Sequence, residues 1–256
     1  MIGVYDSGLG GLTVLAALRA AAIDDDVVYF ADQAHVPYGE RTDADLHGLL
    51  TANLAWLEAH GVDVVVMGCN TSCAVASRLG WPATNFRLPV QDLIINGAQA
   101  FARSDYRRVA VVATPATVRS HAYAHAIAGV APNVEVVEIA APALVPIVEA
   151  GAGDSERARA AVRDVVAEFP PGIDAIVYGC THYPLLDAHF AAALPAAARI
   201  DPAREQARAV LALDRPRGSG NTLYVTNGDP LTFERNVRHW TGDHTGRVTG
   251  LTASPR

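Results

Sequence analysis

The 256-residue sequence predicts an α/β protein built from two similar doubly wound domains, each with a parallel sheet. Short apolar segments rich in β-branched residues alternate with longer segments of helical periodicity. One strand-like segment occurs twice, as GVDVVVMGCN at 61–70 and as GIDAIVYGC at 172–180. With 50% hydrophobic residues, the chain can form one large core or two smaller ones.

Seven segments are predicted strands, and several lack alternation, which is typical of strands buried on both faces of a parallel sheet. They are 2–5, 27–30, 62–68, 108–113, 134–140, 173–179 and 222–227. Helical spacing is strongest at 12–22, 43–61 and 156–169, and Gly61 is suited to end the second of these helices. The alternating order predicts ligand binding at the carboxyl ends of the strands.

The repeat defines the predicted domains. It aligns Cys69 with Cys180, and segment 2–14 resembles 109–120 as a strand, a turn of small and hydroxyl residues, and a helix. The repeating unit is too long for a solenoid array. We therefore expect residues 1–92 plus 206–256 to form the first domain and residues 93–205 the second. A pseudo-twofold axis would place equivalent strand ends on opposite sides of one cleft, which would contain the active site.

Charge and cysteine content limit the partners and the compartment. The net charge is −7 and all 20 basic residues are arginine, without an arginine run, which argues against nucleic acid or anionic membrane as a partner. Three cysteines without disulfide-framework spacing suit a reducing compartment. We find neither a cleavable signal nor the ~20 consecutive apolar residues that span a bilayer. A soluble cytoplasmic protein with a small-molecule ligand is expected.

Each repeated strand presents a cysteine at its carboxyl end, followed by polar residues. A single buried cysteine is commonly a small core residue, but two matching cysteines at strand ends favour a chemical role. Two opposed thiols can remove a proton from one face of a carbon acid and return one to the other face, which inverts the centre. The ordinary thiol pKa of ~8.5 is close enough to neutrality for both tasks. Asp6 and His182 are candidate groups to adjust the thiol pKa of Cys69 and Cys180, respectively.

Six motifs extend this argument: DSGLGGLTV (6–14), VPYG (36–39), GCNTS (68–72), ATPATVRS (113–120), VPIVEAG (145–151) and GCTHYPLL (179–186). Together they resemble glutamate racemase, of the aspartate/glutamate racemase superfamily, in order and along nearly the whole chain. Segment 225–243 is also similar. The resemblance implies a cofactor-independent isomerase that converts L-glutamate to D-glutamate for peptidoglycan synthesis, and a homodimer is typical of the family. Without lysine, the chain cannot form the Schiff base of a pyridoxal enzyme.

The resemblance also implies residue roles. Cys69 and Cys180 are the expected acid/base thiols, with Cys69 acting on the D-enantiomer and Cys180 on the L-enantiomer. Asp6 would support Cys69, and His182 with Glu149 would support Cys180. The expected substrate-binding residues are Asp6, Ser7, Tyr38, Gly39, Asn70, Thr71, Thr117, Thr181 and His182.

Physical arguments from the residues themselves leave some of these roles open. The glycines at 8–11 allow backbone N–H groups to converge at a helix start, which suits a carboxylate, although the dinucleotide fingerprint is absent. Asn70, Thr71 and Thr181 could instead cap the helices that follow. Cys73 is expected to pack in the core, because a metal site would need more ligands at suitable spacing.

Alternative functions are also compatible with the pattern. A relative in the same superfamily could act on aspartate, a hydantoin or maleate. A decarboxylase of this fold should lack one of the two thiols. A cysteine hydrolase using Cys180 and His182 would leave Cys69 idle. A non-catalytic protein could bind an amino acid without exchanging its proton.

Overall fold

The computed structural model describes residues 1–81, 86–214 and 218–251. Parts of the predicted first domain, at 82–85, 215–217 and 252–256, lie outside these described residues. The strands in the described ranges are β1 Ile2–Asp6, β2 Val27–Ala31, β3 Val64–Met67, β4 Val90–Gln91, β5 Arg108–Ala113, β6 Glu135–Ala140, β7 Ala175–Gly179, β8 Ala198–Ile200, β9 Thr222–Thr226 and β10 Arg247–Gly250.

The α-helices surround these strands and connect most of them. They are α1 Leu12–Ala20, α2 Asp43–Ala59, α3 Asn70–Leu79, α4 Leu93–Ala98, α5 Pro115–Ser120, α6 Ala122–Val130, α7 Leu144–Glu149, α8 Glu156–Ala167, α9 Asp187–Ala193, α10 Pro202–Leu211 and α11 Pro230–Thr241. In the described part of the chain, no helix is both long enough and apolar enough to cross a membrane.

The strands form two parallel sheets, and four strands have the same order in both. One sheet has the order β10-β9-β2-β1-β3-β4 and the other β6-β5-β7-β8, and every pairing is parallel. The order β2-β1-β3-β4 therefore corresponds strand for strand to β6-β5-β7-β8. The predicted fold class, two similar parallel α/β units, is confirmed, and the repeated segments β3 and β7 occupy equivalent positions.

Local sequence accounts well for the long elements. All seven predicted strands are present, because each is rich in β-branched residues. Most of them are also buried along nearly their whole length, although β6 is only partly buried. Gly61 follows α2 with a φ of +76°, the left-handed conformation in which glycine ends helices. The unpredicted strands β4, β8 and β10 are short and only partly buried, so they lack an apolar run that would identify them.

Helix α10 joins the two sheets. It packs against α1 and α4, and the buried Gln206 side chain donates hydrogen bonds to the carbonyl oxygens of Met67 and Gln91, both 2.9 Å away. Asp201 caps this helix by accepting from the backbone N–H of Ala203 at 3.0 Å. The predicted boundary at residue 206 falls within α10, and the exact domain limits stay a prediction.

Candidate active site

A cleft lies between the two sheets, at the carboxyl ends of their central strands. Its walls include ten polar, thiol or glycine positions from both halves: Ser7, Tyr38, Gly39, Cys69, Asn70, Thr71, Thr114, Cys180, Thr181 and His182. Parallel strands direct their carboxyl ends to one edge, so the residues after each strand meet at that edge. The folding of the chain thus brings together two cysteines that are far apart in sequence.

Cys69 immediately follows Gly68 at the end of β3 and is the N-cap residue of α3. It is 4% exposed, and its Sγ lies 3.7 Å from Ser7 Oγ. Burial and the nearby Asp6 carboxylate raise the pKa of Cys69 to about 11, against the opposing hydrogen bonds of Ser72 and Ser7. Cys69 is therefore a protonated thiol at neutral pH.

Cys180 follows β7 and has a different environment. Its Sγ lies 3.6 Å from His182 Nδ1, and His182 Nε2 lies 2.6 Å from Glu149 Oε1. Burial by itself lowers the pKa of His182, but its interactions with Cys180 and with the Glu149 carboxylate outweigh burial and raise that pKa well above its ordinary value. An imidazolium paired with Glu149 therefore adjoins Cys180.

Glu149 is held in place from two sides. Its Oε1 also accepts from the backbone N–H of Leu9 at 2.9 Å. Burial favours the neutral acid, but the bonds from His182 and Leu9 outweigh burial and lower the pKa of Glu149. The hydrogen bond from Leu9 N–H to Glu149 joins the glycine loop of the first half to α7 of the second.

The glycine loop binds carboxylates of the protein itself. Gly8 N–H donates to Asp6 Oδ2 at 2.8 Å, Gly11 N–H also donates to Asp6, and Leu9 N–H donates to Glu149. The predicted carboxylate-binding property of this loop is therefore used within the fold. Asp6 is fully buried and lies behind the cleft wall, and burial raises its pKa against the opposing effects of His182 and the loop amides.

Three threonines form a hydrogen-bonded cluster across the cleft. Thr71 Oγ1 of the first half lies 2.9 Å from Thr114 Oγ1 of the second, and Thr114 Oγ1 lies 3.0 Å from Thr117 Oγ1. Thr117 is fully buried behind this pair, so it does not line the cleft. Thr114 does line the cleft and was missed by the sequence reasoning, although its place at the end of β5 is a usable signal.

Asn70 has an unpaired buried donor. The residue is 2% exposed, and its Oδ1 accepts from Tyr123 OH at 2.6 Å. Its Nδ2 has no hydrogen-bond partner among the described residues. Because an unsatisfied buried amide is costly, this N–H₂ group at the cleft wall is suited to an acceptor atom of a ligand.

Tyr38 and Gly39 belong to a short 3₁₀ turn at residues 38–40 that contacts the second half. Tyr38 OH donates to Asp32. A Cβ added at Gly39 would lie 2.9 Å from Thr114 Cβ, so only glycine allows this close approach. Among the described residues, no group of three or more His, Cys, Asp or Glu side chains is arranged to hold a metal ion.

The architecture defines the class of the protein: two parallel α/β units enclose one cleft, and each unit contributes a thiol from the end of a central strand. The profile of the Asp/Glu/hydantoin racemase family matches residues 12–210, and the chain belongs to this family. It is 41% identical to the glutamate racemase of Gloeobacter violaceus over 246 residues, which cover 94% of this chain and 92% of that protein.

Solved structures agree with this assignment. A glutamate racemase from Thermus thermophilus in complex with β-chloro-D-alanine is 32% identical, with a TM-score of 0.85 over 98% of this chain and 96% of that one. One from Francisella tularensis in complex with D-glutamate is 27% identical, with a TM-score of 0.88 over 98% and 97%. The resemblance read from the motifs, and the racemase class of enzyme, are confirmed.

Proposed function

We propose that the protein is a glutamate racemase that exchanges the Cα proton between Cys69 and Cys180 without a cofactor. The observation that carries this proposal is the pair of thiols, one from each half, at a single cleft. The chain's membership of the Asp/Glu/hydantoin racemase family supports the reaction class, and the relatives named above support glutamate as the substrate.

The unequal environments of the two thiols support a direction for each step. From L-glutamate, the Cys180 thiolate beside His182 takes the Cα proton, and the Cys69 thiol gives its proton to the opposite face. The product is D-glutamate, with Cys180 now protonated and Cys69 now a thiolate. Proton exchange with solvent or a second turnover from the D-enantiomer restores the first state. This scheme conserves charge and protons.

The carbanion formed between the two transfers needs stabilisation through the substrate carboxylate. Hydrogen-bond donors that already point into the cleft can supply this, because their bonds strengthen as charge develops. The unpaired Asn70 amide and the hydroxyls of Thr71 and Thr114 line the cleft and are placed to do so. Thr181 also lines the cleft and is a proposed substrate contact, although its hydroxyl donates to Asp6 Oδ1 at 3.4 Å in this structure. We propose Ser7, Tyr38, Gly39 and His182 as further substrate contacts. Asp6, Thr117 and Glu149 would position the groups in front of them.

We further propose that the enzyme supplies D-glutamate for peptidoglycan synthesis in the cytoplasm. The three cysteines are unpaired, which suits a reducing compartment. A homodimer is proposed from the family resemblance.

Proton NMR in deuterated buffer tests the reaction. The protein is incubated separately with L-glutamate, D-glutamate and L-aspartate, and chiral analysis follows the product. We expect loss of the Cα proton signal of glutamate together with formation of the opposite enantiomer. Exchange of aspartate alone would move the assignment to another substrate of the family. If the folded protein exchanged neither amino acid, the proposal would be wrong.

Single-cysteine variants test the two-thiol mechanism. Cys69→Ser and Cys180→Ser should each lose racemisation by at least ~100-fold, the lower range for removing a general acid or base. Cys73→Ser is the matched control, because Cys73 is a fully buried cysteine on α3 that does not line the cleft. A hydrolase or a mechanism with one thiol would tolerate loss of Cys69.

A further inference from the structure

A hydrogen bond between the two halves holds the side chain of Asn70. Asn70 is the first residue of α3, directly after Cys69, and it lines the cleft from the first half. Its Oδ1 accepts from the hydroxyl of Tyr123 at 2.6 Å. Tyr123 is fully buried on α6, the helix between β5 and β6 of the second half, and it does not line the cleft. A residue behind the cleft wall therefore contacts a polar side chain in front of it.

The corner between α5 and α6 brings Tyr123 to this position. His121 lies between the two helices with a φ of +54°, a left-handed conformation that changes the direction of the chain. Ser120 Oγ accepts from the backbone N–H of Ala122 at 3.1 Å, at the start of α6. Ser120 Oγ also donates to the carbonyl oxygen of Thr117 at 2.6 Å, at the end of α5. The corner thus fixes where α6 begins, and with it the position of Tyr123.

The phenol proton determines the orientation of the Asn70 amide. Burial raises the pKa of Tyr123 well above its usual value, so the phenol keeps its proton. Among the described residues, Asn70 Oδ1 is the acceptor of that proton. An amide turned by 180° would place its N–H₂ group against the phenol and leave the phenol proton without an acceptor, which is costly in the interior. The observed orientation satisfies the phenol and leaves the Nδ2 donors of Asn70 for another partner.

The charges around the cleft make this orientation matter. Glutamate carries two carboxylates, and no arginine is among the described residues that line the cleft. His182 is already paired with Glu149, and Glu40 adds a carboxylate to the lining. Neutral donors must therefore bind much of the anionic charge of the substrate. A reversed amide at Asn70 would present an oxygen lone pair to that charge instead of two N–H donors.

We propose that Tyr123 is a positioning residue whose hydroxyl fixes the Asn70 amide, so that the N–H₂ group and not the carbonyl oxygen faces a carboxylate of the substrate. The inference rests on the proposed function, because the ligand is the glutamate of that reaction. The amide is oriented before glutamate binds, and a donor that needs no reorientation stabilises developing charge best. Because Asn70 and Tyr123 belong to different halves, this donor is complete only while the two halves are in contact.

A double-mutant cycle on kcat/KM for glutamate tests this role. Tyr123→Phe keeps the ring and removes only the hydroxyl, and it should lower kcat/KM roughly three- to tenfold, as expected for one neutral hydrogen bond. Asn70→Ala removes the donor itself and should lower kcat/KM roughly 10- to 100-fold, because its partner is charged. In the Asn70→Ala background, Tyr123→Phe should have almost no further effect. A merely structural tyrosine would show its full effect in both backgrounds.

A matched control and a direct measurement accompany the cycle. Tyr224→Phe should keep the wild-type kcat/KM, because Tyr224 is also a buried tyrosine but its hydroxyl donates to Asp243 at 2.9 Å, away from the cleft. In protein labelled with ¹⁵N-asparagine, Asn70→Ala identifies the side-chain amide signals of Asn70. Glutamate should move these signals downfield, because the N–H₂ group gains an acceptor. Half of that change should need roughly three- to tenfold more glutamate in Tyr123→Phe.

The role of Tyr123 is overturned if Tyr123→Phe matches the wild type, if its effect and that of Asn70→Ala are additive, or if glutamate leaves the Asn70 amide signals unmoved. Should Asn70→Ala be too slow to measure, the titration of Tyr123→Phe alone gives the answer. A wild-type protein that exchanges no Cα proton of glutamate would count against the proposed function instead, so the two failures are distinguishable.

Discussion

Substitution of Glu149 by glutamine removes one negative charge from the environment of Cys180 and changes the shape of the side chain little. Glu149 is largely buried, and its Oε1 accepts from His182 Nε2 at 2.6 Å and from Leu9 N–H at 2.9 Å. A glutamine oxygen can accept both bonds. The variant therefore isolates the charge from the geometry.

The expected magnitude follows from the His182 contact. A hydrogen bond to a charged group contributes about 1.5–3 kcal/mol, and each 1.36 kcal/mol corresponds to about one pKa unit. The pKa of His182, whose imidazolium adjoins Cys180, should thus fall by roughly one to two pKa units in the variant. We expect the rate of Cα proton removal from L-glutamate at pH 7 to fall roughly 10- to 100-fold.

The assay compares deuterium exchange into glutamate with alkylation of Cys180 at the same pH. Both should decrease in Glu149→Gln, whereas alkylation of Cys69 should not. Glu156→Gln, on the exposed face of α8, is the matched control because it makes only surface ion pairs. Unchanged exchange and unchanged Cys180 reactivity would refute the argument that the Glu149–His182 pair activates this thiol.

The same pair predicts a pH dependence of stability. The pKa of Glu149 is lowered on folding, so its contribution is present above the pKa of unfolded glutamate and is lost as the pH falls through the folded value. The pKa of His182 is raised, so its contribution is present below the pKa of unfolded histidine and is lost as the pH rises through the folded value. Between these limits, urea unfolding should show the largest difference between the wild type and Glu149→Gln.

Four other substitutions test the glycine loop, the environment of Cys69, and helix α2 with its C-terminal end. Gly10→Ala should abolish exchange, because its Cβ would lie 2.5 Å from His182 Nδ1; full activity would contradict the close contact between the halves. Asp6→Asn should lower the pKa of Cys69 and speed its alkylation, since the Asp6 charge raises that pKa; a slower reaction would contradict this. Gly48→Ala, in the exposed middle of α2 with no atom within 4 Å of the new Cβ, should stabilise the fold by up to about 1 kcal/mol. Gly61→Ala, at φ +76°, should destabilise it by about 1 kcal/mol, and thermal unfolding measures both.

The sequence was sufficient for the long elements and for the fold class. The strands around Val66 and Val177 are identifiable because burial on both faces requires continuous apolar residues, and that requirement is local. The repeat of these strands indicated two similar halves, and β3 and β7 indeed occupy equivalent positions in the two sheets. The short strands β4, β8 and β10 could not be predicted, because neighbouring strands rather than their own composition stabilise them.

Sequence by itself determined that Cys69 and Cys180 reach the cleft edge, because a residue that follows a parallel strand must lie there. Only the tertiary structure decided how each thiol is surrounded. It set Glu149 behind His182, placed Asp6 and Thr117 behind the cleft wall, and connected Asp32 to Ser72 through two tyrosines. These contacts join residues distant in the chain, and hydrogen bonds and pKa shifts depend on ångström-scale distances and burial that no local pattern encodes.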